Sequence, residues 1–372
     1  MDIHIFIAHM GIGGAERVCV NLANEWAERN HNVHICVLNL DNDVNTHLLD
    51  KRVQVHELGV SRLRYAALPM LKYIKKNKPV FLFIFGNEMA IIVNKLNKFK
   101  LTKVKTVVRV LNNVNISLAK EDNVSPLIEN YLKTAQKQMA DMDAIVAQCK
   151  DMGRMIGEKG LAEAEKIHVI YNPVSRLLIQ RVDEIRKNRG EEETEGNRLT
   201  FIGRVDPQKQ PDQLIKAFAS IVEQKPGVKL RIVGNGNLME QTKALVKDMG
   251  LQESVIFDGV RKDMENVYAD TDVVILSSQY EGMPNALIEA IGCGIPVVSY
   301  DCPIGPAEIV EDGVNGFLVK QDDIEELAQK TVLALKQSWD RDIIRATCKK
   351  FDVGRICDEY CRIFEDISKE SD

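Results

Sequence analysis

IHIFIAHMGIGGAER, residues 3–17, predicts a β-strand, a glycine-rich turn and the first turn of a helix. Its run of Ile and Phe indicates the strand, and the apolar periodicity that follows predicts a helix over residues 15–29. Gly11 and Gly13 form the G-x-G that opens a dinucleotide-binding fingerprint, but Glu16 occupies the position where that fingerprint requires its third glycine. The stretch therefore predicts the first strand–helix unit of an α/β sheet without completing a dinucleotide site.

The strand–helix alternation continues along the chain and breaks once. Further strand candidates in the first half are VHICVLN, VFLFIFG, TVVRVL, DAIVAQ and IHVIYNPV. The charged residues 181–197 interrupt the pattern and predict a linker or exposed flap. From RLTFIGR onward the alternation resumes, with helices predicted over residues 211–224, 238–249 and 284–291 and a helical tail from about residue 322. We therefore predict an α/β protein with two doubly wound, Rossmann-like sheets that bind ligands beyond the carboxyl ends of their strands.

Length and composition exclude several classes of protein. A chain of 372 residues exceeds the size of one hydrophobic core, and 45% apolar with 28% charged residues is typical of globular proteins. No apolar run approaches the ~20 residues that span a bilayer, and Asp2 and His4 interrupt any signal-like segment. The eight cysteines include no C-x-x-C pair, which argues against a zinc or redox site. These features predict a cytoplasmic protein.

A basic block lies in the first half of a chain whose net charge is -5. Between Glu57 and Glu121 there are thirteen basic residues and one acidic residue, Glu88. The basic residues are Arg62, Arg64, Lys72, Lys75, Lys76, Lys78, Lys95, Lys98, Lys100, Lys103, Lys105, Arg109 and Lys120. Such a block is either a set of solvated helix faces or a contact with anionic lipid headgroups. Few aromatic residues are interleaved with the cations, which argues against a nucleic-acid-binding protein.

Two cations follow the first strand of the second half. In FIGRVDPQKQ, Arg204 lies just past the strand and Lys209 just before the next helix, with Pro207 turning the chain between them. A planar guanidinium and a compact ammonium at the carboxyl edge of a sheet suit a pyrophosphate. We therefore expect a diphosphate at this loop.

Two acids in YEGMPNALIEA complement these cations. Glu281 lies in a loop and Glu289 on the helix that Pro284 opens. The backbone N–H groups of Gly282, Met283 and Asn285 should lie near the start of this helix, where they favour an anion. Because an inserted helical turn and a half separates the two carboxylates, they do not share a proton and should contact different parts of one extended ligand. Glu289 suits the hydroxyls of a ribose, and Glu281 suits a sugar ring.

These motifs together resemble the signature of glycosyltransferase family 4, whose members are retaining enzymes of the GT-B fold. The resemblance rests on Gly13-Gly14-Ala15-Glu16, Gly203-Arg204 with Lys209, Gly234-Asn235-Gly236, and Glu281 with Glu289. It implies two Rossmann-like domains that face each other across a cleft. The acceptor-side domain would be residues 1–172, completed by a C-terminal helix over about residues 351–372 that crosses back to it. Residues 173–350 would form the domain that binds the nucleotide sugar.

The resemblance also implies roles for individual residues. Arg204 and Lys209 would hold the donor diphosphate and stabilise the leaving group, and with Glu281 they would form the catalytic set. Glu289 would bind the ribose. The implied donor contacts are Gly13, Gly14, Arg204, Lys209, Asn235, Gly259, Val260, Glu281, Gly282, Met283, Pro284, Asn285 and Glu289. Gly13 and Gly14 would let the backbone of the first domain close over the donor. On this assignment, Glu281→Ala is expected to abolish transfer and leave the fold intact.

DCPIGPAEI, residues 301–309, resembles a form found in bacterial surface-polysaccharide enzymes. This implies transfer of a hexose or N-acetylhexosamine from a UDP-sugar to a lipid-linked or saccharide acceptor. It also fits a peripheral contact between the basic region, residues 62–109, and an anionic membrane, with residues 62–76 lying on the bilayer, apolar face inward. The expected location is the inner face of the cell membrane.

One departure from the family pattern concerns a histidine that many relatives carry after the fifth strand. Leu111 and Asn112 stand about where it would fall. Arg109, Asn112, Asn113 and Glu16 are therefore candidates to orient the sugar or the acceptor. In the first domain, Asp41-Asn42-Asp43 is an Asp-x-Asp sequence, but it lies far from the cation pair. No metal or other cofactor is expected, since Arg204 and Lys209 supply the positive charge.

Two other enzyme classes remain open at the level of sequence. A soluble glycosyltransferase with a small-molecule or protein acceptor would make the basic block incidental. A sugar-nucleotide 2-epimerase also has two facing Rossmann domains, although the spacing of Glu281 and Glu289 matches the transferases. A nicotinamide dehydrogenase is disfavoured by Glu16 and by Asn39 at the end of the second strand.

Overall fold

The computed structural model describes residues 1–41, 43–111, 139–189 and 197–369. The chain divides into two compact units, Met1–Pro173 with Val353–Asp372, and Val174–Asp352. Each unit is built around one parallel β-sheet. The candidate site residues are distributed over both units.

The first unit contains a seven-stranded sheet in the order β3-β2-β1-β4-β5-β6-β7. Its strands are β1 (Asp2–Phe6), β2 (Asn32–Val37), β3 (Gln54–Glu57), β4 (Phe81–Phe85), β5 (Lys105–Arg109), β6 (Ala144–Ala147) and β7 (Ile167–Val169). Its helices are α1 (Gly14–Glu28), α2 (Ala67–Asn77), α3 (Asn87–Lys98) and α4 (Lys150–Glu158). The register is parallel throughout, as in the pairing of Ile5 with both Ile35 and Phe83. The strand–helix alternation of the sequence thus forms the predicted parallel sheet.

The C-terminal helix, Val353–Lys369, belongs to this first unit. It packs beside α1, where Tyr360 lies 5.9 Å from Trp26 and Phe364 lies 5.5 Å from Phe83, measured between ring centroids. All four rings are buried, and such aromatic pairs stabilise a core beyond the area they bury. The predicted return of the last helix to the first domain is confirmed.

A histidine cluster lies on the sheet face covered by α2. His4 stacks on His34 at 4.5 Å between ring centroids, and His34 Nδ1 lies 3.0 Å from His56 Nε2. His4 Nδ1 lies 2.8 Å from the hydroxyl of Tyr73 on α2. Burial lowers the pKa of His4 to about 4, because a buried imidazolium loses hydration. The neutral imidazoles are therefore part of the packing between α2 and the sheet.

The second unit contains a six-stranded parallel sheet in the order β10-β9-β8-β11-β12-β13. Its strands are β8 (Arg198–Ile202), β9 (Lys229–Val233), β10 (Val255–Gly259), β11 (Val273–Leu276), β12 (Val297–Tyr300) and β13 (Gly316–Val319). Its helices are α5 (Arg176–Arg189), α6 (Pro211–Gln224), α7 (Met239–Asp248), α8 (Met264–Ala269), α9 (Asn285–Gly292), α10 (Pro306–Ile309), α11 (Ile324–Lys336) and α12 (Arg341–Ala346), and the C-terminal helix is α13. Two doubly wound sheets in tandem confirm the predicted fold class.

The prediction of a linker over residues 181–197 is wrong for the first half of that range. Residues 176–189 form α5, and residues 190–196 lie outside the described part of the chain. Leu178 and Val182, one turn apart, are buried, so a narrow apolar stripe suffices to dock an otherwise charged helix. Arg186 of the same helix donates to two backbone carbonyls of the second unit. At least one of the charged side chains that suggested a solvated segment, Arg186, therefore makes hydrogen bonds within the second unit.

Candidate active site

The loop that carries the two cations is tied to the loop that carries the first glutamate. Gln208 donates from Nε2 to the carbonyl oxygen of Tyr280 at 2.9 Å, and the amide of Gln279 donates to the carbonyl oxygen of Gln208 at 2.8 Å. Ser277 donates its hydroxyl to the carbonyl of Lys209 at 2.8 Å. These bonds join the carboxyl ends of the adjacent strands β8 and β11, so the two loops form one rigid edge of the sheet.

Lys209 and Glu281 meet at this edge. The Nζ of Lys209 lies 2.5 Å from Oε1 of Glu281, although 72 residues separate them in the chain. Their side chains are only 13% and 8% exposed, so the ion pair is largely removed from water. The sequence placed both residues in one donor site and did not predict their direct contact.

Arg204, by contrast, extends into solvent. Its side chain is 61% exposed, and among the described residues its guanidinium makes two long contacts, 3.3 Å to Oε1 of Gln208 and 3.4 Å to Oδ2 of Asp206. Contacts of this length at an exposed position contribute little free energy. The guanidinium can therefore reorient toward an anion at the edge of the sheet at little cost.

Glycines allow the neighbouring loops to approach this edge. Gly234 has a φ of 137°, and a Cβ at that position would overlap the carbonyl oxygen of Gly203. The amide of Gly234 donates to the carbonyl of Gly259 at 2.7 Å, which links the loop after β9 to the end of β10. Asn235 and Val260 flank these contacts and are exposed. Three of the residues predicted to contact the donor, Asn235, Gly259 and Val260, thus lie on adjacent loops.

Glu289 is buried and has a partner that the sequence did not reveal. The hydroxyl of Tyr268 donates to Oε2 of Glu289 at 2.7 Å, and Glu289 is 8% exposed. Tyr268 lies on α8 and is fully buried. In the sequence it belongs to the short apolar run VYA between Asn266 and Asp270, which gives no indication of a contact with a carboxylate.

The loop between the two glutamates is buttressed by the loop after β12. Met283 and Pro284 are buried, and α9 begins at Asn285 with Pro284 as its N-cap residue. Gly305 has a φ of +100°, and a Cβ there would lie 2.7 Å from the carbonyl oxygen of Gly282. The DCPIGP stretch therefore packs directly on the loop that carries Glu281.

In the first unit, the glycine-rich turn has a local explanation. Gly13 is the N-cap residue of α1, and a Cβ at Gly13 would overlap the carboxylate of Glu16. Glu16 is buried and its Oε1 lies 3.0 Å from Nδ1 of His9. A carboxylate in the first turn also interacts favourably with the helix dipole. Gly13 and Gly14 themselves are exposed.

Arg109 lies inside the first unit. It is 1% exposed, donates to the hydroxyl of Tyr360 at 2.8 Å, and also donates to Oδ1 of Asn172. A role in orienting a sugar or acceptor would require the guanidinium to leave both partners. The other two candidates for that role, Asn112 and Asn113, lie outside the described residues.

The basic region does not present the expected apolar face. On α2, the apolar residues Met70, Tyr73 and Ile74 are buried within the first unit, so the expectation that this face turns inward to a bilayer is wrong. The exposed side of the segment carries three cations, Lys72, Lys75 and Lys76. It also carries two large apolar side chains, Tyr65 and Leu68.

Two features are absent from residues 1–41, 43–111, 139–189 and 197–369. Within those ranges, no helix is both long enough and apolar enough to cross a membrane. In the same part of the chain, no three His, Cys, Asp or Glu side chains are grouped so that they could hold a metal ion.

Comparison with protein families gives two matches. Residues 12–176 match the model described as "Glycosyltransferase Family 4", and residues 182–351 match the model described as "Glycosyl transferases group 1". The first match covers the glycine-rich turn, and the second covers Arg204, Lys209, Glu281 and Glu289.

Curated relatives and solved structures point the same way. An α-1,4-N-acetyl-D-galactosaminyltransferase of Campylobacter jejuni, named for an undecaprenol-linked substrate, is 25% identical over 99% of both chains. The amylovoran biosynthesis glycosyltransferase AmsD of Erwinia amylovora is 25% identical over 82% of both chains. A crystal structure of Anabaena HepE with UDP and glucose superposes with a TM-score of 0.77 at 20% identity, covering 98% of this chain and 100% of that one.

Proposed function

Because this chain belongs to glycosyltransferase family 4 and has the GT-B fold, we propose that it is a retaining enzyme of bacterial glycan assembly. It transfers a hexose or N-acetylhexosamine from a UDP-sugar to a lipid-linked or saccharide acceptor. The observation that carries this proposal is the buried pair of Lys209 and Glu281 beside the exposed Arg204. These groups combine cations for a diphosphate with a carboxylate for a sugar.

The cations act on the leaving group. As the bond between the sugar C1 and the diphosphate oxygen breaks, negative charge develops on that oxygen, and Arg204 and Lys209 stabilise it. The acceptor hydroxyl oxygen bonds to C1 on the same face, so the anomeric configuration is retained. Its proton passes to the departing phosphate oxygen, so this route needs no general base from the chain. With two cations in place, the reaction proceeds without a metal.

Glu281 has two tasks in this scheme. Before the donor arrives, its Oε1 compensates the charge of Lys209 at 2.5 Å. When a diphosphate binds, Lys209 gains a second anionic partner, and the carboxylate becomes available to accept hydrogen bonds from hydroxyls of the donor sugar. Glu281 thus holds Lys209 in position and compensates its charge until the donor binds.

The exposed cations of α2 support a peripheral contact with an anionic membrane at its inner face. Lys72, Lys75 and Lys76 are exposed there, and each cation near an anionic surface contributes about 1 kcal/mol. Leu68 and Tyr65 add apolar and amphipathic surface beside them. Such a contact would bring the enzyme to lipid-linked acceptors.

Vesicle flotation tests the membrane contact. The wild type should float with phosphatidylglycerol vesicles at low salt and should be released at high salt, since the attraction is screened. Replacing Lys72, Lys75 and Lys76 by Glu should abolish flotation. A charge-matched control replaces three exposed lysines of the second unit, Lys229, Lys243 and Lys247, and should float. Equal flotation of both triple variants would refute the assignment of the surface.

Donor hydrolysis, which needs no acceptor, tests the activity. UDP- and GDP-sugars are screened for nucleotide release, and the anomer of the first-formed sugar is followed by NMR. We expect turnover of a UDP-sugar with retention and its loss in Glu281→Gln, whereas Glu240→Gln at an exposed position should be unaffected. Release of the inverted anomer, or wild-type turnover by Glu281→Gln, would contradict the mechanism.

A further inference from the structure

Tyr268 contacts Glu289, the acid that the proposed reaction assigns to the ribose and not to the donor sugar. Its hydroxyl donates to Oε2 of Glu289 at 2.7 Å. We infer that Tyr268 is a positioning residue, whose hydroxyl holds the Glu289 carboxylate in the orientation that receives the ribose hydroxyls of the donor nucleotide. This inference rests on the proposed function and goes beyond it by assigning a role to a residue on a different helix.

The hydrogen bond is suited to this task because it occupies only part of the hydrogen-bond-accepting capacity of the Glu289 carboxylate. A carboxylate has about four lone-pair positions on its two oxygens, and one donor on Oε2 leaves the capacity to accept from a diol. Because Glu289 is buried, a donor to its charge is worth more than the same bond in water. The Tyr268 hydroxyl therefore orients the Glu289 carboxylate without consuming its capacity to bind a diol.

The two helices that carry the pair are themselves clamped together. Arg186 of α5 donates from one nitrogen to the carbonyl of Tyr268 at 3.1 Å and from another to the carbonyl of Cys293 at 2.7 Å. These carbonyls lie at the carboxyl ends of α8 and α9, where a cation interacts favourably with the helix dipole. Burial lowers the pKa of Arg186 to about 10, which leaves it protonated at neutral pH. One guanidinium thus fixes the helix of Tyr268 relative to the helix of Glu289.

The expected effect falls on binding more than on chemistry. The ribose is remote from the sugar carbon at which bonds change, so its contacts are present equally in the ground state and the transition state. Loss of the positioning bond should therefore raise the Kd and KM for the nucleotide and leave kcat at saturation nearly unchanged. A purely structural role of Tyr268 would instead lower the fraction of active protein.

The test compares Tyr268→Phe with Tyr300→Phe in the full chain. Tyr300 is also fully buried in the second unit, and its hydroxyl donates to Oε1 of Gln213 at 2.7 Å, so the control removes an equivalent hydroxyl elsewhere. UDP, GDP and ADP are first compared by calorimetry, and the tightest is used with its 2′-deoxy counterpart. The ratio of the two dissociation constants is measured for each variant, since this ratio does not depend on the fraction of folded protein.

The inference predicts a distinct pattern. Tyr268→Phe should bind the nucleoside diphosphate about tenfold more weakly, the scale of one hydrogen bond to a charged group. It should also lose most of the preference for the ribose over the 2′-deoxyribose form. Tyr300→Phe should retain both the affinity and the preference. The double variant Tyr268→Phe/Glu289→Gln should bind no more weakly than Glu289→Gln alone.

The outcomes separate the inference from the proposed function. If Glu289→Gln loses the ribose preference and Tyr268→Phe keeps it, the positioning role is refuted and the donor site stands. Additive losses in the double variant would also overturn the positioning role. If Glu289→Gln keeps the preference, or no nucleoside diphosphate binds the wild type, the assignment of the donor site fails and the inference fails with it.

Discussion

Glu281→Ala removes one half of the buried ion pair and should destabilise the second unit as well as inactivate it. Removing one partner of a buried pair costs about 3–5 kcal/mol, because the remaining charge is left without compensation. Lys209 and Glu281 are 13% and 8% exposed at the edge of the sheet, where some water reaches them, so we expect about 2–3 kcal/mol. The sequence alone predicted an intact fold for this variant, since it did not reveal the contact.

Thermal unfolding measures this effect. For a domain of the size of Val174–Asp352, 1 kcal/mol shifts Tm by about 2–4 °C, so Glu281→Ala should lower the corresponding transition by roughly 4–12 °C. Lys209→Met combined with Glu281→Ala removes both charges and should recover at least half of the loss. Lys216→Ala breaks an exposed pair with Asp212 in the same unit and should shift Tm by no more than about 2 °C.

An added anion distinguishes the ion pair from simple loss of packing. In Glu281→Ala, millimolar pyrophosphate can replace the missing carboxylate beside Lys209, so it should raise Tm more than it does in the wild type. The double variant, which lacks the ammonium, should show the smallest increase. A Glu281→Ala protein that melts within 1 °C of the wild type would refute the reasoning. A Lys209→Met/Glu281→Ala protein that is less stable than Glu281→Ala would refute it as well.

Three further predictions follow from exposure, protonation and backbone geometry. Arg204→Ala should weaken binding of the donor diphosphate by about 10–100-fold in calorimetry without lowering Tm, because the side chain is 61% exposed. Lys216→Ala, which breaks an exposed pair with Asp212, should bind normally. The pKa of His4 is lowered from 6.5 to about 4 chiefly by burial, so the stability of the first unit should be full above pH 6.5 and fall as the pH drops toward 4; this part of the pH dependence should be absent from melting curves of His4→Phe. Gly305→Ala should slow donor hydrolysis and lower Tm, because the added Cβ would press on the loop that carries Glu281. Gly313 also has a positive φ, but the space around it is open, so Gly313→Ala should leave hydrolysis unchanged. Equal hydrolysis by the two glycine variants would show that the contact between the loops is unimportant.

The fold was predictable where local signals were strong. The helix predicted over residues 211–224 is found at Pro211–Gln224, since Pro at the first helical position marks its start. β3, Gln54–Glu57, was missed because this edge strand is only half-buried and lacks an apolar pattern. α5 was taken for a linker because two buried apolar residues are a weak signal among many charges.

The candidate site was predictable as a set of residues and not as a set of contacts. Arg204, Lys209, Glu281 and Glu289 stand out in the sequence by their motifs. The pairing of Lys209 with Glu281 and of Tyr268 with Glu289 depends on which strands lie side by side in the sheet. That order joins residues far apart in the chain, which no local pattern encodes.

The return of α13 to the first sheet has a consequence for synthesis on the ribosome. Tyr360 and Phe364 complete the core around Trp26, and Tyr360 accepts a hydrogen bond from the buried Arg109. At roughly 5–20 residues per second, translation of the intervening Val174–Asp352 takes roughly 10–40 s. Throughout that interval Trp26 lacks the two rings that pack on it, and Arg109 lacks one hydrogen-bond partner, Tyr360, while Asn172 remains. The second unit, contiguous in sequence, can therefore finish folding before the first, and the nascent N-terminal half is the form that chaperones would protect.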